Sequence, residues 1–482
     1  MTSTLPDQTI HDPAGTSRPP IGRRARRDAA VRTGAVATLV LSLLLVTHWW
    51  GVDGGLTDLR GWPSGLISVG RLSGLLASLL LLVQVLLMAR VPLLEAAFGR
   101  GRLASVHRRV GIASFTLMLL HILTIASGHL AASPLRPPAD LSDIASNHAA
   151  LLMANAGALC LCMVVVTSIR GALRRLRYES WHLLHLYAYL GVGLALPHQL
   201  WTGQDFVSSP LKTFFWWTAW AMTAAAVLVC RLGLPLWRNA RHQLRVDSVV
   251  PEIDNVVSVY VTGRRLDRLR IEPGQFFCWR FLGRAGWRRP HPYSLSAAPD
   301  GRRLRITVQM VGEGSASLAS LRPGTRVLVE GPYGRLSPRA RSRRGVALIG
   351  AGVGITPLRA LAEGLDIAAG EAIVLHRYTC EPILGAELAA LGRERGVQVV
   401  DLPGHRRSEN SWLGDGPGDG PGEELSPTAQ VDDLTVLRHL VPDISERDVY
   451  VCGPRHWMVL VQRTLAAAGL PARQLHLETF AW

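Results

Sequence analysis

The sequence contains almost no lysine: of its 52 lysine and arginine residues, only Lys212 is a lysine. The net charge is nevertheless +16, a value that in many proteins indicates attraction to polyanions. Much of this charge stands at the ends of apolar segments, where membrane topology and anionic lipid account for it. The use of arginine in place of lysine throughout the chain is typical of codon bias. We therefore predict no nucleic-acid partner.

A cysteine framework is also lacking. The six cysteines, at positions 160, 162, 230, 278, 380 and 452, show neither zinc nor iron–sulfur spacing. The first 30 residues lack the apolar stretch and small-residue cleavage site of a secretory signal. Residues 1–30, with four arginines between positions 23 and 27, are predicted to form a disordered basic tail in the cytoplasm.

Long apolar runs, in contrast, dominate the first half of the chain. A helix needs about 20 residues to cross a hydrocarbon core, and suitable runs lie near 33–50, 65–89, 108–130, 148–169, 181–201 and 211–230. Arginines are concentrated in alternate loops, whereas Asp53, Asp58 and Asp205 stand in the other loops, as the positive-inside rule requires. We predict a six-span domain over residues 31–235 in the lipid of the cell membrane, with the second half of the chain in the cytoplasm.

Histidines stand inside two of these predicted spans, where ionisable side chains are costly and often mark a site. His107 and His121 bracket the third span. Their separation of 14 residues corresponds to about 21 Å of helix rise and about 1400° of rotation, within about 40° of one face. Both rings can therefore face the same neighbouring helix.

The fifth span carries His182, His185 and His198. His185 and His198 are 13 residues apart, which is out of phase on an ideal helix, but Pro197 and the glycines at 191 and 193 permit a bend or bulge. His182 is the alternative to His185. We prefer His185 because His182 would place the inner site deeper in the headgroup region.

Two helices that each carry one histidine near the inner surface and another about 20 Å further out offer two bis-imidazole sites. Haem iron with two axial imidazoles suits electron transfer, and we predict two b-type haems. For any single histidine the alternative is a helix cap or a bond to a neighbouring carbonyl. Arg71, Arg108 and Arg109 are predicted partners of haem propionates, although Arg109 can equally be a topology determinant.

From about residue 242 the pattern changes to short alternating segments. LRVDSVVPEIDNVVSVYVTG, GQFFCWRF, RLRITVQM and TRVLVEGPYGRL are typical of strands in a small antiparallel barrel, which we predict over residues 242–340. HPYSLSAAP (291–299) presents an aromatic ring and a hydroxyl at the end of an extended segment. GEGSASL (312–318) begins a helix whose free N–H groups favour a pyrophosphate.

After residue 345 the pattern becomes α/β. GVALIGAGVGITPLRALAEGL combines a buried strand, a glycine-rich turn and a helix that begins near Thr356. The next strand ends in Arg377, which favours a 2′-phosphate and hence NADPH over NADH, unless this arginine is only a solvated strand end. We predict a nucleotide-binding α/β domain over residues 345–482, with a flexible, acidic and glycine-rich loop at about 405–433.

Together, HPYS, the Gly-x-x-Ser-x-x-Leu at 312–318, GPYG, GAGVGITP, VYVCGP and the aromatic C-terminus resemble the ferredoxin-NADP reductase fold. Joined to six spans with histidine pairs on the third and fifth, they resemble the ferric reductase and NADPH oxidase superfamily in its bacterial form. The resemblance covers about residues 31–482. It implies a six-helix haem-binding bundle, an antiparallel β-barrel that binds FAD and an α/β domain that binds NAD(P).

The resemblance also implies roles for individual residues. Tyr293 would stack on the isoalloxazine ring and Ser294 would bond near its N5, within a flavin segment that also includes Pro292 and has His291 where soluble relatives use arginine. The remaining implied nucleotide contacts are Gly312 and Ser315 for the FAD pyrophosphate, and Gly350, Gly352, Gly354 and Thr356 for the nicotinamide nucleotide. Cys452 and Glu478 would lie near the nicotinamide, and Trp482 would cover the flavin until NADPH displaces it. His107 with His185 would ligate the inner haem, and His121 with His198 the outer one.

The function that follows is an NAD(P)H-dependent transmembrane oxidoreductase, which passes electrons through FAD and two haems to an outer acceptor. Oxygen, a ferric chelate and a redox protein all remain open as acceptors. Two alternatives come from other classes: a flavin reductase that uses the membrane half only as an anchor, and a proton or solute transporter with a regulatory nucleotide domain. The oligomeric state is not predicted.

Overall fold

The computed structural model describes residues 23–132, 149–169, 178–201, 203–283, 286–415 and 432–478. Residues 1–22 of the predicted tail lie outside this range. Residues 23–30 are helical, so the prediction that the whole of 1–30 is disordered is wrong for this part. The reason is a tertiary contact, because the Asp28 carboxylate forms a two-pronged ion pair with Arg339.

The first half of the chain is helical. Its helices are α1 (Arg23–Trp50), α2 (Trp62–Met88), α3 (Pro92–Phe98), α4 (Arg100–Ala132), α5 (Ala149–Ser168), α6 (Tyr178–Trp201), α7 (Pro210–Ala226) and α8 (Leu234–His242). Shorter helical segments are Gly51–Gly55, Leu56–Asp58, Gln204–Val207 and the π-helical turn Val227–Gly233, which joins α7 to α8.

Five stretches of the described chain are helical, long and apolar enough to cross a membrane: Arg26–Asp58, Trp62–Met88, Arg100–Ala132, Ala149–Ser168 and Pro210–His242. The six-span prediction is confirmed for these five. The sixth predicted span forms α6, a helix of 24 residues. It is long enough, but its three histidines and the polar Gln199 make it less apolar than the others.

Close helix packing in this bundle depends on small residues. α4 packs along α2, and α6 packs along α5. At the α5–α6 crossing, a Cβ atom on Gly157 would lie 2.7 Å from the carbonyl oxygen of Gly191, and one on Gly191 would lie 2.9 Å from the carbonyl oxygen of Gly157. Only glycine lets the two backbones approach this closely, as is common in membrane helix pairs.

The next domain consists of two three-stranded antiparallel sheets around one apolar core. Its strands are β1 (Arg245–Ile253), β2 (Val256–Thr262), β3 (Phe276–Phe281), β4 (His291–Ser294), β5 (Arg303–Gln309) and β6 (Val327–Tyr333), and α9 (Glu313–Ala316) follows β5. The sheet orders are β1-β2-β5 and β4-β3-β6, joined at two edges by the isolated bridges Arg245–Arg326 and Leu295–Ile306. Antiparallel strands thus form where the alternation of apolar and polar residues predicts them. The two sheets, however, are joined to each other only through isolated bridges.

The last domain has a five-stranded parallel sheet with the order β11-β10-β7-β8-β9. Its elements are β7 (Val346–Ala351), α10 (Ile355–Gly364), β8 (Ala372–Arg377), α11 (Gly385–Arg395), β9 (Gln398–Leu402), α12 (Asp433–Leu440), β10 (Asp448–Cys452), α13 (Arg455–Ala467) and β11 (Leu475–Glu478). The strand order reverses between β7 and β10. In open α/β sheets, ligands bind at the carboxyl ends of the strands at such a point.

The segment predicted as a flexible loop at about 405–433 is ordered in its first part. Residues 405–415 fold back as a hairpin, in which Trp412 and Leu413 are buried in the core of the nucleotide domain. The prediction is therefore wrong for 405–415, because these two apolar side chains and the contact of Ser411 with Asp433 fix the segment. Residues 416–431 lie outside the described part of the chain.

Candidate functional site

Four of the predicted ligand histidines form two facing pairs between α4 and α6. The ring centroids of His107 and His185 are 6.1 Å apart, and those of His121 and His198 are 6.2 Å apart. We call His107 with His185 the near pair and His121 with His198 the far pair, according to their distance from the two sheet domains. The rise of α4 separates them by about 21 Å.

On α4, both histidine rings are held by backbone carbonyls of α2. Nδ1 of His107 lies 3.1 Å from the carbonyl oxygen of Gln84, and Nδ1 of His121 lies 2.8 Å from that of Gly70. When Nδ1 donates to a carbonyl, Nε2 is left as the free ligand atom. A Cβ atom on Gly74 would lie 2.6 Å from Nδ1 of His121, so glycine on α2 makes room for the ring.

On α6, the Gly157–Gly191 crossing and Pro197 set the direction of the helix that carries His185 and His198. His198 reaches the far pair although 13 residues separate it from His185. His182 lies one turn before His185, near the guanidinium groups of Arg231, Arg90 and Arg280. Among the described residues, the ring that faces His107 is that of His185.

Arg71, a predicted partner of a haem propionate, pairs with carboxylate side chains of the protein itself. Its guanidinium forms a two-pronged pair with Asp205, with distances of 3.0 Å and 2.6 Å, and it lies 3.5 Å from Asp58. It follows Gly70, which accepts from His121, and so it lies beside the far pair. Its predicted role toward a propionate remains a prediction, and in this structure the partners of Arg71 are two carboxylates.

The HPYS segment forms β4, paired with β3 so that Tyr293 faces Phe277 and Ser294 faces Phe276. His291 and Tyr293 lie parallel, with centroids 6.0 Å apart and an interplanar angle of 8°. The Ser294 hydroxyl is buried and has no hydrogen-bond partner among the described residues. A buried hydroxyl without a partner costs free energy unless a ligand satisfies it.

The glycine-rich segment after β5 lies against this strand. A Cβ atom on Gly314 would lie 2.8 Å from the ring of His291, so α9 and HPYS meet. The Ser315 hydroxyl accepts from the N–H groups of Val311 at 3.0 Å and Gly312 at 3.1 Å. Ser315 therefore shapes the turn in this structure, and the helix predicted from residue 312 has only four residues.

The glycine-rich turn after β7 lies at the point where the strand order reverses. Gly352 has a φ of +52°, a left-handed conformation that favours glycine. A Cβ atom on Gly354 would overlap the carbonyl of Cys452, and one on Gly350 would lie 2.9 Å from Ile355. The Thr356 hydroxyl donates to the carbonyl of Val353 at 2.9 Å, which closes the turn.

Cys452 and Glu478 are neighbours at the carboxyl ends of β10 and β11. The Cys452 thiol is fully buried, and burial raises its pKa. Burial also raises the pKa of the Glu478 carboxyl, to about 7, against the opposing effect of the Arg335 N–H group, which donates to it at 3.0 Å. Glu478 thus connects the nucleotide domain to the loop after β6. The predicted flavin cover, Trp482, lies outside the described residues.

Sequence reasoning missed the junction between the helices and the flavin-type domain. The carboxylate of Glu330 on β6 pairs with Arg90, from the loop after α2, and with Arg280 at 2.5 Å. The guanidinium groups of Arg90 and Arg100 both lie over the ring of Tyr333, at 5.5 Å and 5.4 Å from its centroid. The one signal in the sequence was the tyrosine of GPYG, which is Tyr333.

A second junction contact caps the edge of β6. The Asn239 side chain on α8 donates to the carbonyl of Val329 at 2.9 Å and accepts from its N–H group at 2.8 Å. Arg238 donates to the carbonyl of Gly331. The edge strand is therefore paired by an amide side chain, and the two domains share hydrogen bonds as well as ion pairs.

The two halves of the chain have different known relatives. Residues 73–196 match the family described as ferric reductase like transmembrane component. A NADPH oxidoreductase of Mycobacterium tuberculosis is 28% identical, over 52% of this chain and 63% of its own length. The ferredoxin reductase component of a 3-ketosteroid-9-alpha-monooxygenase of Mycolicibacterium smegmatis is 30% identical, over 49% of this chain and 65% of its own. The chain thus spans less than two thirds of the length of these relatives.

The family match and these relatives show a membrane protein that joins a ferric-reductase-like transmembrane domain to a FAD/NAD domain of the ferredoxin-NADP reductase type. Among solved structures, a ferredoxin NADP+ reductase from Neisseria gonorrhoeae with bound FAD and NADP is similar over 50% of this chain and 99% of its own, with a TM-score of 0.38 and 16% identity.

Proposed function

We propose that this protein is an NAD(P)H-dependent transmembrane oxidoreductase. It would take electrons from NADPH, or NADH, pass them through FAD and two b-type haems, and deliver them across the cell membrane to an acceptor such as oxygen or ferric iron. A flavin is needed between a hydride donor and one-electron haem centres, because it exchanges electrons in twos and in ones.

The observation that carries the proposal is the spacing of the two histidine pairs. A metal–imidazole bond of about 2 Å on each side of one ion places two coaxial ring centroids roughly 6 Å apart. The near and far pairs, at 6.1 Å and 6.2 Å, match this separation. The described residues contain no group of three or more His, Cys, Asp or Glu side chains that could hold a bare ion, whereas a porphyrin supplies its own equatorial nitrogens.

The chain's own residues would hold each haem in a defined orientation. The carbonyls of Gln84 and Gly70 fix the tautomer and plane of His107 and His121, which leaves Nε2 of each directed away from α2. His185 and His198 would complete the pairs from α6. A carbonyl partner on Nδ1 also raises the basicity of the ligand nitrogen, which strengthens its bond to iron.

The flavin site is supported by the buried hydroxyl of Ser294, for which the described part of the chain offers no hydrogen-bond partner, and by the stacked rings of His291 and Tyr293. Tyr293 would pack on the ring system, and Ser294 would donate to or accept from its polar edge. The contact of His291 with Gly314 brings the turn that begins at Gly312 beside this strand. There, the turn would face the pyrophosphate.

The nicotinamide site is supported by the reversal of strand order between β7 and β10, the position at which open α/β sheets form a ligand crevice. The turn from Gly350 to Gly354 would receive the dinucleotide phosphates, and Glu478 would stand beside the reacting ring with its proton partly retained near neutral pH. The buried Cys452 thiol would shape the crevice wall. Its burial argues against a role as a thiolate.

The orientation in the membrane follows from the charge distribution. The end of the bundle near the sheet domains carries Arg90, Arg100, Arg231 and Arg238, whereas at the far end the carboxylates of Asp53, Asp58 and Asp205 offset the charges of Lys212 and Arg71. Positive residues favour the cytoplasmic side. We therefore place the FAD and nucleotide domains in the cytoplasm and the far pair near the outer surface.

The test is the absorption spectrum of the full chain purified in detergent, before and after addition of NADPH. We expect two b-type haems per chain and their reduction by NADPH. A flavin spectrum without haem bands would support a membrane-anchored flavin reductase, and a colourless protein would support a transporter with a regulatory domain. Either result would overturn the proposal.

A further inference from the structure

His198 faces His121 although the helical repeat of α6 does not bring it there. Over the 13 residues that separate it from His185, an ideal helix turns about 1300°, which leaves the two side chains about 140° apart around the axis. Pro197 has no N–H group to bond back into the helix, so the last turns of α6 lose one of their own hydrogen bonds. Contacts from neighbouring helices must therefore help to fix the direction of His198.

Gln199, the next residue along α6, makes contacts of this kind. Its side chain is 8% exposed. Nε2 donates to the hydroxyl of Ser78 on α2 at 2.9 Å, and Oε1 accepts from the indole N–H group of Trp220 on α7 at 3.2 Å. Because an indole nitrogen can only donate, the carboxamide has one orientation here. Its two ends thus join α6 to two other helices.

Ser78 lies on the face of α2 that also holds His121. Gly70, Gly74 and Ser78 follow one another at intervals of four residues, so they lie along one face. The carbonyl oxygen of Gly70 is 2.8 Å from Nδ1 of His121, and a Cβ atom on Gly74 would lie 2.6 Å from the same nitrogen. Both sides of the far pair are therefore tied to the same two turns of α2, one through the ring of His121 and the other through the residue that follows His198.

The bond to Trp220 extends this tie to a third helix. α7 packs against α2, so a side chain that is bonded to both helices has a fixed position. The backbone at Gln199 can then neither rotate about the axis of α6 nor shift along it without breaking a bond. A rotation by one residue, about 100°, would turn His198 away from His121.

We propose that Gln199 is a positioning residue for the far pair. Its bonds to Ser78 and Trp220 hold the end of α6 in the rotation that keeps His198 opposite His121. The inference rests on the proposed function, in which this pair holds a haem. Gln199 does not bind the iron in this role, because it acts only through the backbone that it shares with His198.

The test compares Gln199→Met with Thr223→Val in the full-length protein purified in detergent. Methionine keeps an unbranched, flexible side chain at position 199 but can form neither bond. Thr223 lies on α7, one turn after Trp220, and is the matched control. It is buried, and its hydroxyl donates to the carbonyl of Ala219 in its own helix at 2.8 Å. Its variant therefore loses a buried hydrogen bond that does not join two helices.

Two measurements follow the haems themselves. Transfer of haem to apomyoglobin gives the rate at which each haem is released, and the ferric EPR spectrum reports the angle between the two axial imidazole planes. The spectrum of His198→Ala, which lacks a ligand of the far pair, identifies the signal of the far haem.

In Gln199→Met we expect the far haem to be released about threefold to tenfold faster than in the wild type, because two bonds between helices are lost. Its low-spin EPR signal should shift. The near haem and the FAD content should not change, since His185 stands 14 residues before Gln199 on α6. Ser78→Ala, which removes one of the two bonds, should lie between the wild type and Gln199→Met, and Thr223→Val should behave as the wild type does.

Wild-type release rates and an unchanged EPR spectrum in Gln199→Met would overturn the inference. Equal acceleration for both haems, or the same effect in Thr223→Val, would also overturn it, because either result would indicate a general loosening of the bundle. A wild-type protein without haem would overturn the proposed function and this inference with it. The wild type alone thus decides the function, and the variants decide the role of Gln199.

Discussion

His185 lies opposite His107 across two neighbouring helices, and the two rings are inclined at 69°. Their partners at the far pair, His121 and His198, are inclined at 52°. Both α4 histidines are anchored by α2, and both α6 histidines depend on the course of one helix, which contains Pro197. The proposed electron route therefore depends on helix packing as much as on the histidines themselves.

The first prediction concerns that packing. Gly191→Ala places a methyl group 2.9 Å from a backbone carbonyl of α5, so α6 must move, at a cost of about 1–3 kcal/mol. We expect a lower thermal unfolding midpoint in detergent. Gly193→Ala, two residues further on the same helix, meets nothing within 4 Å and should unfold at or slightly above the wild-type temperature. Equal midpoints for the two variants would contradict the packing argument.

The second prediction concerns Glu478. Its folded pKa of about 7 lies above the value near 4.5 expected in the unfolded chain. The protonated form therefore contributes stability that is fully present below about pH 4.5 and is lost as the pH rises through about 7. Thermal unfolding midpoints of wild type and Glu478→Gln should be measured from pH 4.5 to pH 8.5. The midpoint of the wild type relative to that of Glu478→Gln should fall as the pH rises through this range. A difference that does not vary with pH would rule out the raised pKa.

The third prediction concerns the contact between the flavin-type and nucleotide domains. The Glu387 carboxylate on α11 forms ion pairs with Arg305 of β5 at 2.5 Å and with Arg359 of α10 at 2.7 Å. Glu387→Gln removes the carboxylate that pairs with Arg305 and leaves Arg359 paired with Glu363, and we expect a loss of about 1–3 kcal/mol in the free energy of unfolding. The exposed Glu394→Gln on the same helix is the control. Denaturant titration should separate them, and equal stabilities would show that the network contributes nothing.

The fourth prediction concerns the junction. Glu330→Gln removes the carboxylate that Arg90 and Arg280 share. Stopped-flow mixing with NADPH should show unchanged flavin reduction but haem reduction slowed several-fold. High salt should slow haem reduction in the wild type and have less effect in the variant, because salt screens charge pairs. Haem reduction at the wild-type rate in Glu330→Gln would show that this ion pair does not hold the docked arrangement.

The residues differ in how far the sequence could predict them. That His107 and His121 share one face of their helix follows from the helical repeat alone. The strands of the flavin-type domain follow from the alternation of apolar and polar residues. The alignment of His198 with His121 does not follow, because it depends on Pro197 and on the glycine contact between α5 and α6. These are tertiary effects that no local period records.

The hairpin and the junction were beyond sequence reasoning for a similar reason. The composition of 405–433 predicts disorder, yet Trp412 and Leu413 give its first part an apolar anchor. Arg90 and Arg100 belong to the loop arginines that the positive-inside rule explains, and only the fold shows that both contact Tyr333. Arg377, at the end of β8, likewise packs against a residue 37 positions later, Gly414.

The central claim, that the two histidine pairs each hold a haem, is tested most directly by the haem content of single alanine variants. His185→Ala and His182→Ala should be purified in detergent with FAD content as the check on folding, and their haem assayed as the pyridine complex. We predict that His185→Ala loses one of two haems while His182→Ala retains both. Loss of a haem from His182→Ala, with both retained in His185→Ala, would contradict the account.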